Sequence, residues 1–246
     1  AEINDIKGTK IEGGWLYGIS PRSTNKWFGV GETIGIYSAG LNPDGTPSLY
    51  SGQIHSNGVA LVGVTRAINK KIKLQGWNMF TDNVFNTAML QTDLSFPLKG
   101  NSTLMASAQI IRQDAINNGG NENQAETYFS KGASSLSFGT KFAWKMKRLE
   151  TSLNYNCITA QGRYLVPREW GRDPFFTFLP RERNEGAGDV HAWVYRLSHH
   201  FEKLRLKPEI SAGYYRMPDV KNYRLNKYGM PSYWQTNLSV QYEFEG

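Results

Sequence analysis

The chain has 246 residues, of which 39% are hydrophobic, with 13 Tyr, 12 Phe, 7 Trp and 25 Gly and a formal charge of +7. Its mean hydropathy is -0.50 and no run of about 18 or more apolar residues occurs, which excludes a protein crossing a bilayer as helices. The aromatic and glycine content favours strands and tight turns, and the single cysteine, Cys157, excludes an internal disulfide and a thiolate metal site.

The opening stretch, AEINDIKGTK, carries no apolar segment of the kind a secretion signal needs, so a mature form or a fragment is expected. Strict alternation then begins, and a period of two is the mark of a strand with two unlike faces. The first strand is predicted over 10–20, with weaker ones over 58–67 and 72–80. Over 87–96, Ala88, Leu90, Thr92, Leu94 and Phe96 fall on one face, and Thr87, Gln91, Asp93 and Ser95 on the other. A lower-contrast strand follows over 102–113, and 135–144 puts Leu136, Phe138, Thr140, Phe142 and Trp144 on its apolar side. In 148–157, Leu149, Thr151, Leu153, Tyr155 and Cys157 oppose Glu150, Ser152, Asn154 and Asn156. After 206–215, the last strand sets Trp234, Thr236, Leu238, Val240, Tyr242 and Phe244 against Gln235, Asn237, Ser239, Gln241 and Glu243.

About ten strands result, each roughly 9 to 12 residues long, the length a tilted strand needs to cross a hydrocarbon layer and longer than ordinary globular strands. Tight turns at 69–70, 98–101, 146–147 and 202–204 alternate with long loops at 21–52, 114–133, 159–188 and 217–233 and a shorter one near 81–84. Short turns at one end and long loops at the other are the layout of an outer-membrane barrel. A soluble sandwich or lipocalin-like barrel would alternate equally well. Strand length separates the two, as do the aromatic residues at the ends of the apolar faces: Trp15, Tyr17, Phe96, Trp144, Trp193, Tyr195, Trp234 and Phe244. The predicted fold is all-β, a transmembrane antiparallel up-and-down β-barrel, and residues 1–246 are expected to form a single barrel domain.

Four stretches resemble the OprD family of substrate-specific outer-membrane porins: ISPRSTNKWFGVGETIGIYSAGLNPDG (19–45), LQGWNMFTDNVFNTAMLQTDL (74–94), PREWGRDPFFTFLPRERNEGAGDVHA (167–192) and PDVKNYRLNKYGMPSYWQTNLSVQY (218–242). The resemblance implies an eighteen-stranded barrel of a Gram-negative outer membrane, with loops folded inward to a narrow constriction. It also implies facilitated diffusion of small solutes, often carboxylates or amino acids, guided by a ladder of basic wall residues. Ten strands are fewer than eighteen, the matches fall in the middle and later part of the family's chain, and the C-terminal Tyr-Glu-Phe-Glu-Gly lacks the family's final aromatic residue. A partial chain is the expectation.

A narrow pore selects by its lining charges, because a low-dielectric wall strengthens each fixed charge. Parity puts Lys73, Lys141, Arg196 and Lys207 on the polar face, together with Asp93, Glu150, Glu209 and Glu243; mixed signs across a lumen give a transverse field that suits zwitterions as well as anions. The densest charge lies in 163–185, where Arg163, Arg168, Arg172, Arg181 and Arg183 accompany Glu169, Asp173, Glu182 and Glu185. Arginine suits bidentate carboxylate binding. The candidate pore-lining residues are therefore Arg196, Lys207, Lys141, Lys73, Arg172, Asp173, Arg181 and Arg183. The run of Phe175, Phe176 and Phe178 is expected either to anchor the loop inside the barrel or to form an apolar wall for the solute. A competing reading stays open, in which the loop charges bind lipopolysaccharide phosphates or one another. The run 223–228 is expected to be an extracellular loop that packs on its neighbours, with a role in solute binding as the alternative.

Enzymatic readings find little support. His191 and His199 fall on the apolar side, His200 and Asp189 add no further partner, and no phosphate loop, nucleophile elbow or zinc spacing occurs. Basic residues interleaved with aromatics lie in loops rather than on a compact face, which argues against a nucleic-acid partner. The expected function is passive, selective diffusion of small water-soluble solutes, without a cofactor, metal or catalytic residue. The alternative is a non-conducting structural or partner-binding barrel. The expected partners are carboxylate or amino-acid solutes and outer-membrane lipid or lipopolysaccharide; monomer and trimer are equally compatible with the sequence.

Overall fold

The computed structural model describes residues 2–4, 6–21, 24–37, 39–182 and 184–244. Strands β1 (Glu2–Ile3) and β2 (Thr9–Leu16) open the chain, followed by the short β3 (Gly18–Ile19) and β4 (Phe28–Gly29) and a single helical turn, α1 (Val30–Thr33). Then come β5 (Val59–Ala67), β6 (Ile72–Thr81), β7 (Phe85–Leu98), β8 (Ser102–Ala115), β9 (Ser134–Met146), β10 (Leu149–Ile158), β11 (Val190–His199), β12 (Leu206–Arg216) and β13 (Tyr233–Tyr242). All except β3 and β4 join one sheet, in the order β1-β2-β5-β6-β7-β8-β9-β10-β11-β12-β13, and every pairing is antiparallel between neighbours in that order. This is an up-and-down barrel wall whose two outer edges, β1 and β13, are unpaired among the described residues.

A ten-residue strand extends about 33 Å and, at a tilt near 40°, rises about 25 Å, the height of the apolar band on a membrane barrel. The expected strand at 10–20 is cut in two. Leu16 meets Val59, where β5 begins; beyond it no ladder partner remains, so Gly18 and Ile19 turn away to pair with Gly29 and Phe28. The short turns rely on left-handed residues: Asn101 (φ 57°) and Gly100 (φ 74°) between β7 and β8, and Lys147 (φ 46°) between β9 and β10. Asn and Gly adopt this region at low cost.

The two faces are inverted relative to a water-soluble sandwich. Outward residues are large, apolar and exposed, among them Leu90 (65%), Leu153 (55%), Phe142 (59%) and Leu238 (74%). The inward face carries buried polar groups: Gln109, Gln113, Ser135, Ser137, Ser152, Asn154, Asn156, Ser198 and Ser211. A soluble barrel would hide the first set and wet the second. Every residue of the expected aromatic girdle is exposed. Four aromatic residues, Tyr155, Trp193, Tyr214 and Trp234, share one row across β10 to β13, with successive ring centroids 5.4, 6.1 and 4.7 Å apart. Such contacts contribute about 0.5–1.5 kcal/mol each beyond area burial.

The long loops supply the apolar interior. Ile34, Tyr50 and Ile54 from the first loop, Tyr128 and Phe129 from the second and Leu165 from the third pack with Val84 and Phe85. Phe175 and Leu179 pack against Ile111, Val190, Ala192, Val194 and Tyr215 of the wall. Loops therefore cover the inward face instead of projecting into solvent.

Candidate functional site

The densest charge segment, 163–188, folds as a strap over the inward wall. Its base is pinched by a two-way bridge: the Tyr164 N–H donates to Ala187 O at 2.9 Å and the Gly186 N–H donates to Tyr164 O at 2.8 Å. Gly186 sits at φ 84°, where a Cβ would lie 2.4 Å from the Tyr228 ring, so no larger residue fits. Within the strap, Phe175 is buried against the ring of Tyr164 at 4.7 Å. Of the two roles expected for the phenylalanines, Phe175 takes the anchoring one and, with Phe178, also borders a cavity.

Inward side chains of the wall grip the strap's backbone. Gln113, buried on β8, donates to Leu165 O at 2.9 Å and accepts from the Leu165 N–H at 2.8 Å, while its amide is braced by Thr87 (2.9 Å) and Ser135 (3.3 Å). Gln109 donates to Pro174 O at 3.2 Å, Tyr215 to Thr177 O at 2.8 Å and Gln235 to Pro180 O at 2.5 Å. Arg196 donates to Phe178 O. Sequence reasoning passed over Gln109, Gln113, Tyr215 and Gln235, since an alternating glutamine or tyrosine is an ordinary wetted-face residue until the loop above it is known.

The charged candidates divide into groups. Arg172, Asp173, Arg181 and Arg196 come together around two cavities. One, of about 560 Å³, is bounded by Arg172, Phe178, Arg196, Glu209, Ser211 and Asn237. The other, of about 760 Å³, is bounded by loop residues including Tyr37, Arg168, Arg172, Arg181, Glu182 and Glu185. Among the described residues neither Arg172 nor Arg181 makes an ion pair; Arg172 lies 5.5 Å from the Phe178 ring centroid. Arg196, by contrast, lies 3.7 Å from Glu209. Asp173 is buried beside Arg172, and Arg183 lies outside the described residues.

Lys73 and Lys141 occupy a separate hollow of about 320 Å³ near the 69–71 turn, with Asp93 and Ser107. Lys73 pairs with Asp93 at 3.4 Å, its direct register partner on the next strand. Lys207 stands apart at the exposed start of β12, opposite Gln241. The Lys73–Asp93 and Arg196–Glu209 pairs both join neighbouring strands of one wall: Asp93 is the register partner of Lys73, whereas Glu209 stands diagonally to Arg196, two residues from its register partner Ser211.

The remaining loop arginines serve the loops. Arg163 donates to Leu41 O at 2.7 Å and to Tyr223 O, and burial pushes its pKa down to about 10. Arg168 pairs with Glu185 at 3.1 Å over the ring of Tyr228. Glu169 accepts from the N–H groups of Gly35 (3.2 Å) and Tyr37 (2.8 Å), fastening the first loop to the strap.

Lys227 is the least expected residue. It is 2% exposed, donates to the Tyr50 hydroxyl at 2.9 Å, and its Nζ lies 4.7 Å from the Tyr50 and Tyr128 centroids and 5.3 Å from that of Tyr228. Burial pushes its pKa down to about 8, against the opposing pull of Glu185. The surrounding phenols are raised by their own burial and then by Glu185, so they stay neutral. Apart from the adjacent Tyr228, its cage comes from Tyr50 and Tyr128, more than 90 residues away in sequence, so no local pattern marks it. The run 223–228 thus packs on its neighbours, the blander of the two expectations.

No family model and no curated protein matches the sequence. Among solved structures, the fold is similar to Acinetobacter baumannii OccAB4, at a TM-score of 0.75 and 12% identity over 99% of this chain and 55% of that one. Pseudomonas aeruginosa OpdQ gives 0.73 and 12% over 100% and 60%, and Pseudomonas aeruginosa OccK9 (OpdG) gives 0.72 and 12% over 97% and 54%. These neighbours are OprD and Occ porins, which are channels rather than enzymes. At such identities the likeness is one of fold, and the chain spans a little over half the length of the structures it matches.

Proposed function

We propose that this chain forms part of the wall and the constriction of an outer-membrane porin of the OprD type in a Gram-negative bacterium. It passes small water-soluble solutes, carboxylates or amino acids, by passive diffusion. Residues 1–246 act as one barrel unit within a larger closed wall, in keeping with the sheet's two unpaired edges. The outward apolar face meets lipid, and the charged loop rim meets the lipopolysaccharide headgroups.

The observation that carries this reading is the strap. It crosses a polar inward face and holds Arg172 and Arg181 beside cavities, with no ion pair among the described residues. A solute carboxylate meeting an arginine fork there makes charge-assisted hydrogen bonds, roughly twice as strong as neutral ones. Asp173 and Arg196 belong to the same constriction, while Lys73, Lys141 and Lys207 extend the basic lining along the wall.

Liposome swelling with the full-length protein tests the reading. Carboxylate solutes are expected to enter faster than neutral solutes of equal size, and Arg172→Gln with Arg181→Gln should remove the difference. Equal swelling rates for both solute classes in the unmodified protein would overturn it. A second reading, a plugged structural barrel, draws support from the close packing of the loops over the inward face. It predicts no swelling with any solute.

A further inference from the structure

The strap's position is set by neutral and internally paired wall groups, and this bears on which residues govern selectivity. From Pro174 to Pro180 the strap alternates, with Phe175, Thr177 and Leu179 buried. The carbonyls of Thr177, Phe178 and Pro180 each receive a donor from the wall: Tyr215 on β12, Arg196 on β11 and Gln235 on β13. Pro180 has no N–H, so its carbonyl is the one backbone group through which the wall can hold it by a hydrogen bond. Arg181 follows Pro180 directly, in a left-handed conformation at φ 73°. Arg172 lies two residues before Pro174, whose carbonyl is held by Gln109 at 3.2 Å. Arg172 and Arg181 are therefore each within two residues of a backbone group fixed to the wall. Arg196 itself is committed, with one nitrogen on Phe178 O and another 3.7 Å from Glu209.

We propose that Arg196, Tyr215 and Gln235 are positioning residues: their side chains clamp strap residues 177–180 to three adjacent strands and so fix where Arg172 and Arg181 stand in the path. This rests on the porin reading above. On this account Arg196 is not a rung on which solute carboxylates alight. Its charge is balanced by Glu209, and it acts through the strap. The clamp has a property that a charge ladder lacks: two of its three members are uncharged, so changing them alters the charge selectivity of the channel while leaving its net charge untouched.

The test is reversal potential under a salt gradient in planar bilayers, with the full-length protein. Tyr215→Phe removes a single oxygen and keeps the ring stacked on Tyr233 (centroids 4.7 Å, 12°), so folding is preserved; Gln235→Ala is added in the second arm. The neutral double variant is expected to lose at least a third of the anion preference lost by Arg172→Gln with Arg181→Gln, and to raise open-channel noise. Adding Arg196→Ala to the neutral pair should produce less than the sum of the separate shifts, because all three act through one segment. Wild-type reversal potential and noise in the neutral pair, with the arginine pair still active, would overturn the clamp and leave the porin reading standing. Full additivity of Arg196→Ala would return that residue to a direct charge role. If the arginine pair also changes nothing, the charge-selective reading fails and takes the clamp with it.

Discussion

Replacing Gln113 with Leu removes a clamp whose strength can be worked from its contacts. Gln113 is fully buried on β8, and its amide satisfies both backbone groups of Leu165, donating at 2.9 Å and accepting at 2.8 Å. Leucine has nearly the same volume, so packing survives, but the N–H and C=O of Leu165 are left buried without partners. Each orphaned group costs about 1–3 kcal/mol, which gives about 2–6 kcal/mol for the pair. The loss is local to the strap, because the ladder between β7, β8 and β9 does not use side chains. At tenfold per 1.4 kcal/mol, amide exchange of peptides spanning 163–170 should accelerate by at least about 30-fold. Hydrogen exchange by mass spectrometry on the detergent-solubilised full-length protein reads this directly. Thr87→Val, which removes only the brace at 2.9 Å, should change exchange far less. Exchange in Gln113→Leu within threefold of the unmodified protein, with the barrel still folded, would refute the strap as a wall-clamped element.

Three further outcomes follow from the same geometry. Lys227 titrates near 8 when folded and near 10.4 when unfolded. Between those values the unfolded state therefore holds the extra proton, and the loop cap gains up to about 3 kcal/mol as pH rises from 8 to 10, with no slope below 8. Exchange protection of 217–233, corrected for intrinsic rate, should show this rise in the native protein and lose it in Lys227→Met; equal slopes in both would contradict it. Glu169→Ala removes the acceptor for Gly35 and Tyr37, a loss of about 3–6 kcal/mol for two bonds to a carboxylate. Limited proteolysis within 35–52 should accelerate, and an unchanged cleavage rate would argue against the link. Leu153→Arg places a charge on the exposed outward face and should cost about 2–4 kcal/mol in a lipid bilayer. Lys141→Gln on the inward wall should stay within about 0.5 kcal/mol; equal costs in a urea titration from bilayers would mean that the faces are misassigned.

The wall was legible because a strand repeats every two residues and each long strand has unlike faces. Leu153 and Asn154 alone divide β10 into its outer and inner sides, and register then follows from the tight turns at 98–101 and 146–147. Parity likewise places Arg196 inward, but it could not say what Arg196 holds, since the Phe178 carbonyl belongs to a loop with no repeat of its own. Lys73 and Asp93 belong to separate alternating runs, and their pairing follows only from the register of β6 on β7. The loop interior was the least legible part. Lys227 depends on Tyr50 and Tyr128, which reach it through contacts that no local periodicity encodes, and Glu169 looks like any exposed loop acid until Gly35 and Tyr37 are brought to it. Periodicity reports faces, whereas burial of a charged loop residue depends on contacts distant in sequence.

The most direct test of the central claim is single-channel conductance of the full-length protein in a planar bilayer, with a small carboxylate added to one side. The account predicts discrete conductance steps that the carboxylate blocks in a concentration-dependent way, with block weakened in Arg172→Gln with Arg181→Gln. Correctly folded protein that inserts yet gives no steps, or steps that the carboxylate leaves untouched, would contradict it.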